Sequence, residues 1–368
     1  MVSIPADGEP VVLDPRAAGI TLDSAGILAA AAEVRRILNE TFHEPPATLA
    51  EAAAPLTRLA VLGSTLGRVL AASGRDDLAA AAWVHVVMLG AADLPFELVY
   101  DHPLPDKDDE VPVCAPALAG ATGCGATCPD RDRSDRVCPF GFWATNKVIE
   151  RRVHAPGRDG TLAEPRVRLT DGALVATSAR TDAADPTASQ RIAAAVAGLV
   201  PTAKRAADWT ALASDVRVTP EPALLVLVTH TEAGGPLSTT LELGSQPFAS
   251  HRVDATLINP DKADPGPIVL SLGCDTDLLE AGFATWVQTL QAAKASVVVS
   301  ALSPIPGRQV ADFVEKLCAA LRDVLAGPGP HRFGAALTAA RRATIAAGGL
   351  LALALTSTGD GDIQLEGA

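Results

Sequence analysis

The sequence predicts an α/β protein: a mostly parallel β-sheet with helices on both faces, preceded by an α-helical N-terminal region and carrying a Cys-rich insertion. Three observations lead there. From about residue 172, short runs rich in Val, Leu and Ile alternate with helical patterns, and runs without polar alternation are what strands buried on both faces require. Before residue 80 the apolar side chains recur at helical spacing. Four of the six cysteines fall between positions 114 and 138. The expected division is 1–80 for the helical region, 81–165 for a linking half with the Cys-rich loop 114–138, and 166–368 for the main α/β domain.

The elements follow in order. SAGILAAAAEVRRILNETF sets Ile27, Leu28, Ala31, Val34, Ile37, Leu38 and Phe42 on one face and predicts an amphipathic helix over 24–42. A second helix starts at TLAE, where Thr48 and Glu51 form a capping-box pattern, and runs toward Ala72 with a kink at Pro55. WVHVVML (83–89) reads as a strand, and the stretch 101–135, rich in Pro, Gly and charge, as loop. Then come strand GALVATS (172–178), a helix from Thr187 with Gln190 completing a capping box, and strands ALLVLVTH (223–230) and PIVLSLGC (267–274). A helix near 279–293, strand ASVVVSAL (295–302), helices near 308–325 and 332–346, and a last strand LLALALT (350–356) complete the chain.

Composition narrows the function. With 48% hydrophobic and 20% charged residues over 368 positions the chain is globular and long enough for one large or two medium domains. A net charge of −13 argues against a nucleic acid or an anionic membrane as partner, because binding phosphates needs clustered Lys and Arg. MVSIPADGEP lacks the basic and apolar regions of a signal peptide, and no apolar run approaches the roughly 18 residues of a membrane helix, so the expected location is cytoplasmic. Neither GxGxxG nor a Walker-type loop points to a nucleotide enzyme.

In open parallel sheets the ligand site lies beyond the carboxyl ends of the strands. Two of the expected strands end there in reactive side chains, His230 and Cys274. Thiol catalysis needs an imidazole to take or share the sulfur's proton and amides to hold the oxyanion, for which the backbone N–H of Cys274 is suited. Taken alone, Cys274 reads equally as a small core residue at a strand end. Asp275, Asp277, Glu232 and Asp254 lie close in sequence to this pair. They read either as a solvated acidic loop or as substrate-binding groups for an Arg or Lys side chain, and Asp275 also as a cap of the next helix.

THTE around His230 and LSLGCDTD around Cys274 resemble the His and Cys motifs of the caspase-like CHAT peptidases of bacteria, whose cysteine sits in a pattern like LSACETG. DLPFELVYD (93–101) is similar to the segment that opens many CHAT regions, and CPFGFWATNKVIERR (138–152) to a stretch in some of them. FATWVQTLQAAKASVVVSALSPIPGRQVADFVEKL resembles their shared tail, and the likeness runs over roughly 83–362. The resemblance implies a caspase-like sheet, with 166–368 as the catalytic domain and 81–165 as a pseudo-caspase-like half. It makes Cys274 the nucleophile, His230 its general base or acid, and the backbone amides of Thr231 and Cys274 the oxyanion donors. In caspase-type enzymes a glycine usually follows the histidine; here Thr231 does, with Gly234 and Gly235 nearby. The implied partners are a protein substrate, such as a gasdermin-like or other effector encoded nearby, and a regulatory activator protein.

Cys114, Cys124, Cys128 and Cys138 form a second cluster. In a chain read as cytoplasmic, clustered thiolates more naturally bind a structural zinc than form stable disulfides. Free thiols and a redox disulfide are the alternatives. Cys124 and Cys128 have the x3 spacing of a knuckle, whereas the outer spacings of nine residues match no common finger. Cys318, within FVEKLCAAL, reads as core. The functional readings are a cysteine endopeptidase acting through a thioester, a non-catalytic CHAT-like scaffold favoured by Thr231, and a small-molecule thiol hydrolase.

Overall fold

The computed structural model describes residues 2–4, 24–72, 77–88, 95–124, 128–153, 165–183, 185–218, 221–233, 239–249, 252–260, 265–273 and 282–367. The chain divides into two compact units, one of Met1–Pro156 with Thr338–Ala354 and one of Gly157–Leu337 with Leu355–Ala368.

In the first unit, helix Ser24–His43 packs on helix Ala53–Ala72; of the predicted stripe, Ala31, Val34, Ile37, Leu38 and Phe42 are buried, and the side chains of Ile27 and Leu28 lie outside those described. Only half of the expected capping box forms: the Glu51 amide donates to Thr48 Oγ1 at 3.3 Å, but Glu51 Oε2 takes the Ala47 amide at 2.8 Å in place of that of Thr48, and the helix begins at Ala53. Pro55 is not a kink, because the helix begins at Ala53 and the proline lies in its first turn, where a missing N–H costs nothing. Strands β1 (Val2–Ile4), β2 (Trp83–Met88) and β3 (Val148–Val153) form a sheet with β2 central, antiparallel to β1 and parallel to β3. Leu89, the expected end of β2, lies outside the described residues. Val84, Val86 and Ile149 join Leu70, Phe96, Val99 and Trp143 in one apolar cluster.

Charge is buried in this unit as well. Glu97 and Arg151 are fully buried and paired, with Arg151 Nη1 donating to Glu97 Oε1 at 2.5 Å, and buried Arg341 Nη2 lies 3.9 Å from the same oxygen. Burial opposes ionisation of Glu97, but the two guanidinium groups more than offset it and hold the carboxyl below its usual range.

The second unit contains strands β4 (Arg166–Arg168), β5 (Ala173–Thr177), β6 (Lys204–Ala206), β7 (Leu224–Val228), β8 (His230–Ala233), β9 (Thr239–Leu243), β10 (Gln246–Ala249), β11 (Ile268–Ser271), β12 (Val297–Ala301), β13 (Leu355–Gly359) and β14 (Gln364–Glu366). Its central sheet has the order β13-β12-β11-β7-β5-β6, all parallel except β13, which runs antiparallel to β12. The expected mostly parallel sheet is therefore present. Strands β8, β9 and β10 form an antiparallel sheet of their own, and β14 pairs with β4.

Both faces of the central sheet are covered. Leu174, Leu225, Val269 and Val298 stand side by side in register. They pack with Trp209, Leu212, Ile258, Trp286 and Leu290 from helices Trp209–Asp215, Ala255–Ile258 and Gly282–Ala292. Alternation turns Val175, Val226, Leu270 and Val299 to the opposite face, and these too are buried. Helices Ala188–Leu199 and Gly307–Ala326 pack together there, joined by Arg191, which donates to Glu315 Oε1 at 2.9 Å and to Asp312 Oδ1 at 2.5 Å.

Two local expectations are corrected. LLALALT is not one strand: Leu351–Ala354 is a turn of helix and the strand begins at Leu355, because a uniformly apolar run carries no period to separate the two forms. Thr187 and Gln190 form no capping box; the Thr187 hydroxyl turns back to Asp185 Oδ1 at 2.7 Å, and Asp182 accepts the Ser189 amide at 2.7 Å.

Candidate active site and metal centre

Strands β7 and β11 are adjacent, parallel and in register, with Leu227 opposite Ser271, and the Leu272 amide extends the ladder by donating to the Leu227 carbonyl at 2.9 Å. His230 lies three residues beyond Leu227, and Cys274 three beyond Ser271. His230 opens β8 at the carboxyl edge of the sheet and is 5% exposed. The described chain reaches Gly273, whose carbonyl accepts the Ile305 amide at 3.3 Å. Cys274, Asp275 and Asp277 lie outside the described residues.

Three polar residues surround His230. Arg180 Nη1 bonds His230 Nε2 at 2.8 Å. Because a guanidinium can only donate, Nε2 is the acceptor in this contact and the ring proton sits on Nδ1. Glu242, opposite His230 in the β8–β9 register, has Oε2 3.8 Å from Arg180 Nε and accepts from Ser178 Oγ at 2.6 Å. Ser178 leaves β5 with its amide on the Val228 carbonyl at 2.7 Å, so three strand ends converge on the histidine. The β9–β10 turn is held close by Gly244, which has φ +58°; a Cβ there would meet the Ala207 carbonyl oxygen at 2.2 Å.

The remaining expected site residues fall as follows. Thr231 and Glu232 continue β8 opposite Leu241 and Thr240. Asp254 caps helix Ala255–Ile258, accepting the Thr256 amide at 2.9 Å and its hydroxyl at 2.6 Å.

The Cys-rich loop is ordered by its own backbone. Val113 and Val137 bridge, the Cys114 amide donates to the Val137 carbonyl at 2.9 Å, and buried Asp130 accepts the Ala115 amide at 2.8 Å. The thiols of Cys114 and Cys138, of Cys138 and Cys124, and of Cys124 and Cys128 contact one another in a chain. His102, which the sequence reading missed, joins them: donor atoms of His102, Cys124 and Cys138 all lie within 4.8 Å of one another. Twenty-one residues separate it from Cys124, a gap that no common spacing pattern flags.

Burial and the thiols' contacts with one another dominate the electrostatics of the cluster. Burial and the Cys128 thiol push Cys124 up to about 12, and the Cys114 sulfur together with burial pushes Cys138 higher still. Cys114 is lowered by the bond from Cys138 and by the Ala117 amide, while burial opposes this. Burial, helped by Arg131, takes His102 down to about 4, leaving a neutral imidazole. Nitrogen and sulfur donors of this kind, three of them within 4.8 Å of one another, are of the type that tetrahedral zinc sites use. Cys318 sits apart in helix Gly307–Ala326, buried as expected, with its thiol pushed up to about 12 by desolvation.

No protein-family model matches the chain, and no curated protein matches it in sequence. Among solved structures it is similar to the Arg-specific cysteine proteinase gingipain R, at 13% identity and TM-score 0.45 over 91% of this chain and 74% of that one. It is also similar to the complex of Porphyromonas gingivalis RgpB pro- and mature domains, at 11% identity and TM-score 0.46 over 91% and 77%. A third likeness is to the Saccharomyces cerevisiae separase–securin complex, at 13% identity and TM-score 0.36 over 62% of this chain and 14% of that one. Among the described residues no helix is long and apolar enough to cross a membrane.

Proposed function

We propose that the chain is a caspase-like cysteine endopeptidase of the CHAT type, with Cys274 as nucleophile and His230 as its acid–base partner. The observation that carries this reading is the in-register pairing of β7 with β11, from which both residues stand the same three positions downstream. The motif resemblance around the two residues and the polar cluster around His230 support it. His230 takes the Cys274 proton, and the thiolate attacks the scissile carbonyl to give a tetrahedral oxyanion held by backbone amides. Collapse expels the amine, which receives the proton from the imidazolium, and leaves a thioester. Water, deprotonated by the imidazole, then hydrolyses the thioester and restores the thiol. The proposed substrate is a protein, in a bacterial defence or signalling setting and under an activator protein. The test is cleavage of a peptide library by wild type, Cys274→Ala and His230→Ala; cleavage that survives both substitutions refutes the assignment.

A scaffold without catalytic activity is the second reading, favoured by Thr231 where a glycine usually follows the histidine. A wild-type protein that is folded, binds a partner and never cleaves it would establish that reading.

For the loop around 114–138 we propose a structural zinc. With four protein ligands it leaves no open position for water, so its role is to hold the loop and not to catalyse.

A further inference from the structure

His102, Cys124 and Cys138 bring donor atoms within 4.8 Å of one another, Cys114 touches Cys138 and Cys128 touches Cys124, whereas a closed tetrahedral zinc takes four of these five. Which four decides the chemistry of the centre. His102 has a donor atom within 4.8 Å of those of both Cys124 and Cys138, a distance compatible with one shared ion. Its buried Nδ1 has no hydrogen-bond partner among the described residues. A buried ring nitrogen without a partner is destabilising unless something satisfies it, and an ion bound at that nitrogen would supply what the surrounding side chains do not.

The packing around the ring has the form of a support. Tyr100 lies against His102 with ring centroids 5.7 Å apart, and its hydroxyl accepts the Cys138 amide at 3.0 Å, so one side chain orients two of the donors. Gly141 leaves the space the ring occupies: a Cβ there would stand 2.9 Å from His102 Cγ and 2.6 Å from the Tyr100 ring.

The thiols are not equivalent. The sulfurs of Cys114 and Cys138 are in contact, and both residues are buried. The backbones of these two cysteines are also tied together through Val137. Among the described residues Cys128 reaches the group through its contact with Cys124, and it is partly exposed.

We propose that the loop holds zinc through a mixed nitrogen–sulfur set of His102, Cys114, Cys124 and Cys138, with the Cys128 thiol outside the coordination sphere. The inference rests on the zinc reading above and replaces its four-cysteine ligand set. It gives the ion a defined task. Residues 99–102 run antiparallel to 138–143, through the Tyr100–Phe142 bridge and the bonds of Asp101 to Gly141 and Trp143 to Val99. His102 and Cys138 sit at the open end of that pair, so the metal closes it and anchors the loop to the segment that leads into β3.

The test uses the full chain, loaded with zinc for affinity by chelator competition and with cobalt for absorption. Wild type is expected to bind about one ion per chain, with cobalt bands of a site containing one nitrogen and three sulfurs. His102→Ala is expected to weaken zinc binding by about 100-fold, Cys128→Ser to leave affinity and spectrum unchanged, and Cys318→Ser to behave as wild type. His102→Cys guards against a folding defect: it should retain the ion while the cobalt bands move to those of an all-sulfur site. Unchanged affinity and spectrum in His102→Ala, or loss of the ion in Cys128→Ser, overturns the ligand assignment alone. A wild type that binds neither ion overturns the zinc reading together with it.

Discussion

Arg180 donates from Nη1 to Nε2 of His230 at 2.8 Å, at the carboxyl edge of the parallel sheet. In the proposed chemistry the imidazole must take a proton from a thiol, and one of its two nitrogens, Nε2, is already engaged. Glu242 stands behind the guanidinium at 3.8 Å and favours this arrangement.

Arg180→Ala should therefore free Nε2. A hydrogen bond to a charged group contributes about 1.5–3 kcal/mol, so labelling of Cys274 by a thiol-reactive peptidyl probe should quicken by roughly tenfold or more. Slower labelling in a folded variant would mean that Arg180 assists the histidine.

Glu97 is the counter-charge of two buried arginines. Glu97→Ala removes this counter-charge from both, and we expect a loss of about 3–5 kcal/mol in denaturant unfolding followed at Trp143. The pH dependence has a definite sign. Because the Glu97 carboxyl is lowered in the folded state, its contribution is fully present above the unfolded carboxylate range and declines as pH falls through the folded value. Glu97→Gln should flatten that acid limb, and an unaltered acid limb would remove Glu97 as its source.

Removing zinc with a chelator should act locally. Amide exchange of Cys114 and Val137, whose N–H groups bond across the loop, should accelerate at least about tenfold. The amides of β7 and β11 should keep their protection, because their ladder is internal to the other unit. Equal acceleration in both places would contradict a structural role confined to the loop.

Gly244→Ala puts a side chain at positive φ and a Cβ 2.2 Å from the Ala207 carbonyl oxygen. We expect a loss above about 1 kcal/mol together with reduced cleavage, since the turn it forms carries β9 and Glu242. Full stability and activity would remove this turn from the support of the site.

Much of the central sheet was legible because β5, β7, β11 and β12 are nearly uninterrupted apolar runs, and the same patterns located their carboxyl ends. β3 escaped because Glu150 and Arg151 are buried charges, which interrupt an apolar signal although they belong to the interior. β8 and β9 escaped because their alternation is weak and, among the described residues, they form a small sheet with β10 apart from the central one. At the site, the rule that chemistry gathers beyond strand ends led to His230. Applied also to the exit of β5 it would have drawn attention to Ser178 and Arg180. Nothing local could have shown Glu242, which reaches the histidine through cross-strand register, or His102, which joins the thiols through the antiparallel pairing of two distant segments.

The most direct test of the central claim is peptide mapping of a thiol-reactive peptidyl probe on the intact chain, paired with cleavage assays of Cys274→Ala and His230→Ala. The account predicts labelling at Cys274, slowed about 100-fold or more in His230→Ala, and cleavage reduced on the order of 10^4-fold or more in Cys274→Ala. Labelling confined to other cysteines, or cleavage undiminished in either variant, would contradict it.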